Sequence, residues 1–190
     1  MTPAENIHDR PEALPEPQDD GACDHLPSTE VPSVPLPATS GDIVDLSTLS
    51  GRTVVYCYPM TGHPDRALPE GWDAIPGARG CTPQSCSFRD HHADLERLGA
   101  RVFGLSTQDT GYQREAAERL HLPFGLLSDR DLAFARALGL PTFEVDGMTL
   151  IRRLTLVIDE ARISKVFYPV FPPDRSAEEV IAWISRHPAT

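Results

Sequence analysis

The chain lacks any run of about 18 apolar residues, the length a membrane-spanning helix needs. Its first twenty residues have neither a basic start nor an apolar stretch. A cytoplasmic location is therefore the default expectation. Positive charge is scarce: 17 Lys and Arg face 28 Asp and Glu, a formal charge of −11, which argues against wrapping nucleic acid or lying on an anionic membrane. Cysteine is scarce too. Four cysteines in 190 residues do not make a disulfide scaffold, and in a reducing compartment a close pair is more often catalytic or metal-binding.

What is present divides unevenly. Residues 1–40 hold eight acidic residues against one arginine, while the remainder is nearly balanced. Residues 1–30 form an acidic, Pro-rich stretch with few large apolar side chains, too little to offset ordering entropy, and are expected to be a flexible tail with Cys23 as an incidental thiol. Residues 31–190 are expected to form one domain, a size ample for a single core.

Two cysteines five residues apart, in Gly80-Cys81-Thr82-Pro83-Gln84-Ser85-Cys86-Ser87-Phe88-Arg89-Asp90, stand where an apolar strand and a long loop give way to a helical pattern. Thr82 suits an N-cap and Pro83 the first helical position, where a missing N–H costs nothing. Cys81 then lies at the positive end of a helix. Only a thiolate is nucleophilic, and helix-terminal N–H groups with a nearby arginine favour that form. Along an ideal helix the two Cα atoms are roughly 8 to 9 Å apart, beyond the reach of about 7 Å for a disulfide. The spacing suggests attack by Cys81 on an oxidant, a sulfenic acid, local unwinding, and capture by Cys86.

The β-branched and aromatic run Thr53 to Tyr58 reads as a buried parallel strand, with Cys57 as an inert core thiol. Residues 60–79, with Gly62, Pro64, Pro69, Gly71, Pro76 and Gly77, form a long loop of the kind that is usually functional. Trp72 and Ile75 are expected to fold it onto the body and narrow access to Cys81. From Ser85 to Leu98 a helix is expected, with Phe88, His92, Leu95 and Leu98 inward and Gly99 as the stop. Arg101 to Ser106 and Phe124 to Leu127 read as strands, with a helix from Thr107 to about His121 between them and another over Leu132 to Leu138. Met148 to Ile158, broken at Arg152-Arg153, and Arg162 to Val170 read as antiparallel strands, with a closing helix over Ser176 to His187. This order fits an α/β, thioredoxin-like three-layer sandwich with a central mixed β-sheet.

The Gly-Cys-Thr-x-x-x-Cys-x-Phe-Arg-Asp segment, with Val54-Val55-Tyr56-Cys57-Tyr58-Pro59, Leu122-Pro123-Phe124-Gly125-Leu126-Leu127-Ser128-Asp129 and Arg153-Leu154-Thr155-Leu156-Val157-Ile158-Asp159, resembles the peroxiredoxins of the bacterioferritin comigratory protein or Q type. The likeness runs over roughly residues 31 to 187. It implies a thiol-dependent reduction of hydrogen peroxide and organic hydroperoxides, with Cys81 as nucleophile, Cys86 resolving it as an intramolecular disulfide, and Arg153 reaching both nucleophile and peroxide. Thioredoxin or a similar dithiol would recycle the disulfide, in a monomer or weak dimer. Sulfur chemistry suffices, so no metal or organic cofactor is implied.

Pro59 matches the proline that ends the family's strand, and Gly80 the glycine before the nucleophile. In one respect the chain departs from the pattern. Ala78 stands where that family has a peroxide-binding threonine, and Arg79 where a proline is usual; Thr61 and Thr82 are the candidate replacements for the hydroxyl. Two other readings stay open. Cys81 and Cys86 with His63, His91 and His92 could form a metal module, although no known closed site has this spacing. A thiol–disulfide oxidoreductase or redox sensor is the other, although such enzymes use Cys-x-x-Cys.

Overall fold

The computed structural model describes residues 14–189. At its centre are β3 (Arg52–Cys57), β4 (Ala100–Ser106), β5 (Leu126–Ser128), β8 (Leu154–Asp159) and β9 (Arg162–Phe167), joined in the order β5-β4-β3-β8-β9. β3 runs parallel to β4, and β4 to β5, whereas β8 is antiparallel to both β3 and β9. The sheet is mixed, as expected. Two short antiparallel strands, β1 (Pro35–Pro37) and β2 (Ile43–Asp45), stand outside it.

Every residue of β3 is buried, because helices cover both faces of the sheet. Side chains alternate along a strand. Val54, Tyr56 and Tyr58 therefore pack beneath α1 (Cys81–Asp90), α2 (His92–Arg97) and α5 (Ser176–Arg186), with Phe88, Leu95, Val180 and Ile184 filling that layer. Val55 and Cys57 face the other way, onto Phe134 and Leu138 of α4 (Ala133–Leu138) and onto Leu26, Leu36 and Leu46. α3 (Thr110–Arg119), capped by the Asp109 carboxylate accepting from Tyr112 N at 2.8 Å, packs beside β5.

Three expectations are corrected. Residues 1–13 of the expected flexible tail lie outside the described residues, but 14–30 are bound to the body. Leu26 is fully buried and Cys23 nearly so, Tyr168 donates its hydroxyl to Asp20 at 3.0 Å, and Ser28 N donates to Ile163 O at 2.8 Å. Composition averaged over the stretch hides two apolar side chains that drop into the core. Cys23 is thus a core thiol, pushed up to about 12 by burial, with Asp20, Asp19 and Asp24 adding to the effect.

Second, the helix expected through Leu98 breaks at His91, where the backbone leaves helical geometry, and ends at Arg97. Leu98 is consequently exposed. Third, Met148 does not begin a strand of the main sheet. It belongs to a separate hairpin of β6 (Thr142–Val145) and β7 (Met148–Ile151), turned by Asp146 and Gly147, both at positive φ. That pair of angles suits a two-residue hairpin, and Asp-Gly is its common signature.

The end of the sheet where β3 begins carries an ion pair between a buried arginine and a half-buried carboxylate. Arg52 on β3, 4% exposed, faces Asp159 on β8 and donates Nε and Nη2 to its two carboxylate oxygens at 2.7 and 2.9 Å, with Nη1 on His187 O at 2.7 Å. Burial pushes the Asp159 carboxyl up, but hydrogen bonds from Arg52 and Ser164 and the Arg52 charge hold it below the usual range. Asp159→Ala is expected to cost about 2 kcal/mol at neutral pH, because Arg52 Nε and Nη2 lose their acceptor while Nη1 keeps His187 O. Urea titrations should show a lower midpoint with an unchanged slope. A depressed carboxyl contributes stability above its unfolded value of about 4 and loses it as pH falls through the folded one. The gap between variant and wild type should therefore close in acid.

Candidate active site

The site is built where the 60–79 loop enters α1. Gly80, at φ 107°, caps the helix, and a Cβ there would lie 2.3 Å from Pro173 Cγ. Only glycine meets both demands. Cys81 is the first helical residue, with Thr82 second and Pro83 third, so Thr82 is not the N-cap. Proline is tolerated throughout the first turn, whose N–H groups lack intrahelical partners; it marks the turn but not the register.

Cys81 is 3% exposed and shares a small cleft with Met60, Gly62, Leu68, Trp72, Arg79, Gly80 and Thr82. Arg153 reaches it from the segment between β7 and β8, with Nη2 3.1 Å from Sγ. The guanidinium is itself immobilised. Nε donates to Gly77 O at 3.3 Å, Nη2 to Ala78 O at 3.0 Å and Arg79 O at 3.2 Å, and Nη1 to the Gln84 side-chain oxygen. Gln84, fully buried, donates to Ser176 Oγ at 3.3 Å. Arg152, the other arginine of the pair, lies over the Phe143 ring instead.

Ala78 O also lies 3.6 Å from Cys81 Sγ. Ala78 thus contributes a backbone acceptor to the thiol and to Arg153, and no hydroxyl. Sequence reasoning missed Gln84 and the three carbonyls. Gln84 stands one turn after Cys81 on the same helical face, a signal that was present; the carbonyls carry no side-chain mark.

Pro59 is buried at the end of β3. Thr61 is also buried, but its hydroxyl does not turn to Cys81. It donates to Gln108 Oε1 at 3.2 Å, while Thr61 N donates to the same oxygen at 3.0 Å and Thr61 O accepts from Gln108 Nε2 and Tyr112 OH. Thr61 therefore fastens the loop, and Thr82 is the threonine that lines the cleft.

Cys86 lies on α1, turned roughly 140° from Cys81, and is half-buried, whereas Cys81 faces the core. Burial pushes the Cys86 thiol up, Arg89 opposes this, Asp90 adds to it, and Arg119 opposes it. All four cysteines are free thiols. The three histidines of the metal reading are scattered. His63 stands edge-on to Tyr112, His91 bonds Ser87 O through Nδ1 at 2.9 Å, and His92 packs near Phe124. Among the described residues, no three His, Cys, Asp or Glu side chains are grouped so as to hold a metal ion. No helix there is long and apolar enough to cross a membrane.

Comparison with known proteins agrees with this architecture. The Redoxin family matches residues 26–181. Peroxiredoxin Q, chloroplastic, from Populus jackii is 32% identical over 152 residues, which cover 79% of this chain and 63% of that protein. The chain thus spans under two thirds of the length of that relative. The protein of the same name from Sedum lineare is 32% identical over 155 residues, covering 78% of this chain and 74% of that one. Among solved structures, peroxidoxin BcpB from Mycobacterium tuberculosis superposes with a TM-score of 0.70 at 26% identity, over 86% of this chain and 99% of that one. The matched span holds the cysteine pair, the arginine and every strand of the central sheet, and the chain belongs to the Redoxin family as a peroxiredoxin of the Q and bacterioferritin comigratory type.

Proposed function

We propose that this protein is a hydroperoxide reductase that works through Cys81 and Cys86. The observation that carries the reading is the Arg153 guanidinium, fixed by four protein oxygens and held 3.1 Å from a sulfur at a helix N-terminus. A fixed cation there stabilises both a thiolate and the oxyanion that leaves it. The Cys81 thiolate attacks the terminal oxygen of ROOH, the O–O bond breaks, and RO⁻ departs to take a proton as ROH. Cys81 is left as a sulfenic acid. The Cys86 thiol then displaces its hydroxyl as water, and an external dithiol such as thioredoxin reduces the resulting disulfide while itself becoming oxidised. A thiol-reducing, cytoplasmic setting suits this cycle.

Resolution requires α1 to open between the cysteines. Its second half is anchored, since Phe88 is fully buried and stacks on Tyr56 at 4.5 Å. Its first turn is buried as well and is held through Gln84 to Arg153 and Ser176, so unwinding between the cysteines must release those contacts. One equivalent of hydroperoxide added to reduced protein should give a Cys81–Cys86 disulfide detectable by peptide mass. Cys86→Ser should reduce about one equivalent and then stall with thioredoxin as the only reductant. Absence of the disulfide in the wild type, or unimpaired cycling in the variant, would refute the resolving role.

A further inference from the structure

Residues 14–20 have no place in the chemistry described above, yet they lie across the turn that carries it. Without helix or strand, they run up to Cys23 and Leu26, which are buried in the core and fix one end of the segment. The Pro17 ring packs on Gly77: a Cβ at Gly77 would lie 3.5 Å from Pro17 Cβ and Cγ. Leu14 and Pro15 close over Ile75, Gly77, Arg79 and Arg153 on one side and the 170–173 segment on the other, with no room for a water molecule between them. Gly77 O in turn accepts from Arg153 Nε at 3.3 Å, and Arg153 Nη2 is 3.1 Å from Cys81 Sγ. Gly77 and Arg153 thus connect Pro17 to the sulfur. The segment is lightly held. Among the described residues, no backbone hydrogen bond joins 14–19 to the body; its polar tie is the Tyr168 hydroxyl donating to Asp20 at 3.0 Å, where the Arg152 charge also acts.

From this we infer that Leu14, Pro15 and Pro17 are positioning residues: they strap the turn before Cys81 in its reacting conformation and so prolong the life of the Cys81 sulfenic acid. The inference rests on the peroxidase reading above. Disulfide formation needs Cys81 to leave the first turn of α1, and the Gly77–Gly80 turn that must move with it is held down by Pro17 and Leu14. Apolar packing with few hydrogen bonds is the kind of contact that opens locally at low cost. Until it opens, the sulfenic acid has two fates. The Cys86 thiol can displace its hydroxyl as water and form the S–S bond, or a second hydroperoxide can give it an oxygen atom, leave as the alcohol and convert Cys81 to a sulfinic acid. The strap sets the division between them.

The test is the rate at which Cys81 sulfenic acid becomes disulfide after reduced full-length protein is mixed rapidly with excess hydrogen peroxide, quenched in acid and read by peptide mass, with sulfinic acid counted in the same samples. A double variant, Leu14→Ser with Pro17→Ser, should form the disulfide about tenfold faster, what the burial of two methylene groups is worth, and leave correspondingly less sulfinic acid. Circular dichroism confirms folding. If the double variant does not fold, Tyr168→Phe decides, since it removes just the hydroxyl on Asp20 and should speed the step about threefold. Asp159→Ala, which weakens the far end of the sheet, is the control for general destabilisation and should not speed it. No acceleration in the strap variants, or equal acceleration in Asp159→Ala, overturns the inference alone. Wild-type protein in which peroxide leaves Cys81 unoxidised overturns the peroxidase reading and this one with it.

Discussion

Cys81→Ser is expected to eliminate hydroperoxide consumption, with a loss of at least about 1000-fold, as for removal of a covalent nucleophile elsewhere. Serine is nearly isosteric, and the position is held by Gly80 and by the carbonyls of the preceding turn, so the fold should survive. What disappears is the ionisable sulfur. The other thiols cannot replace it. Cys57 is fully buried and pushed upward by that burial, Cys23 is raised to about 12, and Cys86 is raised and turned to the far side of the helix. Peroxide loss should be followed both in steady state with thioredoxin and in a single turnover without it, so that a recycling defect is not mistaken for a chemical one. More than a tenth of wild-type single-turnover rate in the variant would mean that another group reduces the peroxide.

The layered architecture was legible in the sequence because its strands are strongly patterned. β3 and β8 are short runs buried almost throughout, and their length with their β-branched and aromatic composition, rather than periodicity, separates them from the helices. The cysteine pair was legible because helix geometry fixes its separation. Errors arose where a local signal was ambiguous or tertiary contacts decided. Pro83 fits any position of a first turn, and the helix start was set by Gly80, whose positive φ and contact with Pro173 depend on a segment ninety residues away. Thr61 carries the right hydroxyl for the site, but Gln108 and Tyr112, on another loop and helix, compete for it and its neighbouring backbone. Residues 14–30 look like a tail by composition, yet two well-placed apolar side chains and an edge pairing with β9 bind them. Gln84 could have been found, since a polar residue one turn from a candidate nucleophile has a natural use as a positioning group.

Arg153→Gln should lower the second-order rate with hydroperoxide by about 100-fold to 1000-fold, the range seen when one donor to a developing oxyanion is removed. Two effects are combined in that loss. The Nη2 donor 3.1 Å from Cys81 Sγ disappears, and the carbonyls of Gly77, Ala78 and Arg79 lose the group that gathers them. Arg153→Lys separates the two, because a lysine restores the charge but cannot span the same acceptors from a rigid fork. Iodoacetamide alkylation of Cys81 at pH 7 supplies the second readout, since it requires the sulfur nucleophile but no oxygen leaving group. Alkylation and peroxide rates falling together in Arg153→Gln would place the main effect on the sulfur. A peroxide rate that falls while alkylation holds would place it on the departing alkoxide. Both rates within threefold of wild type would remove Arg153 from the chemistry, leaving it a buried clamp on the turn before α1.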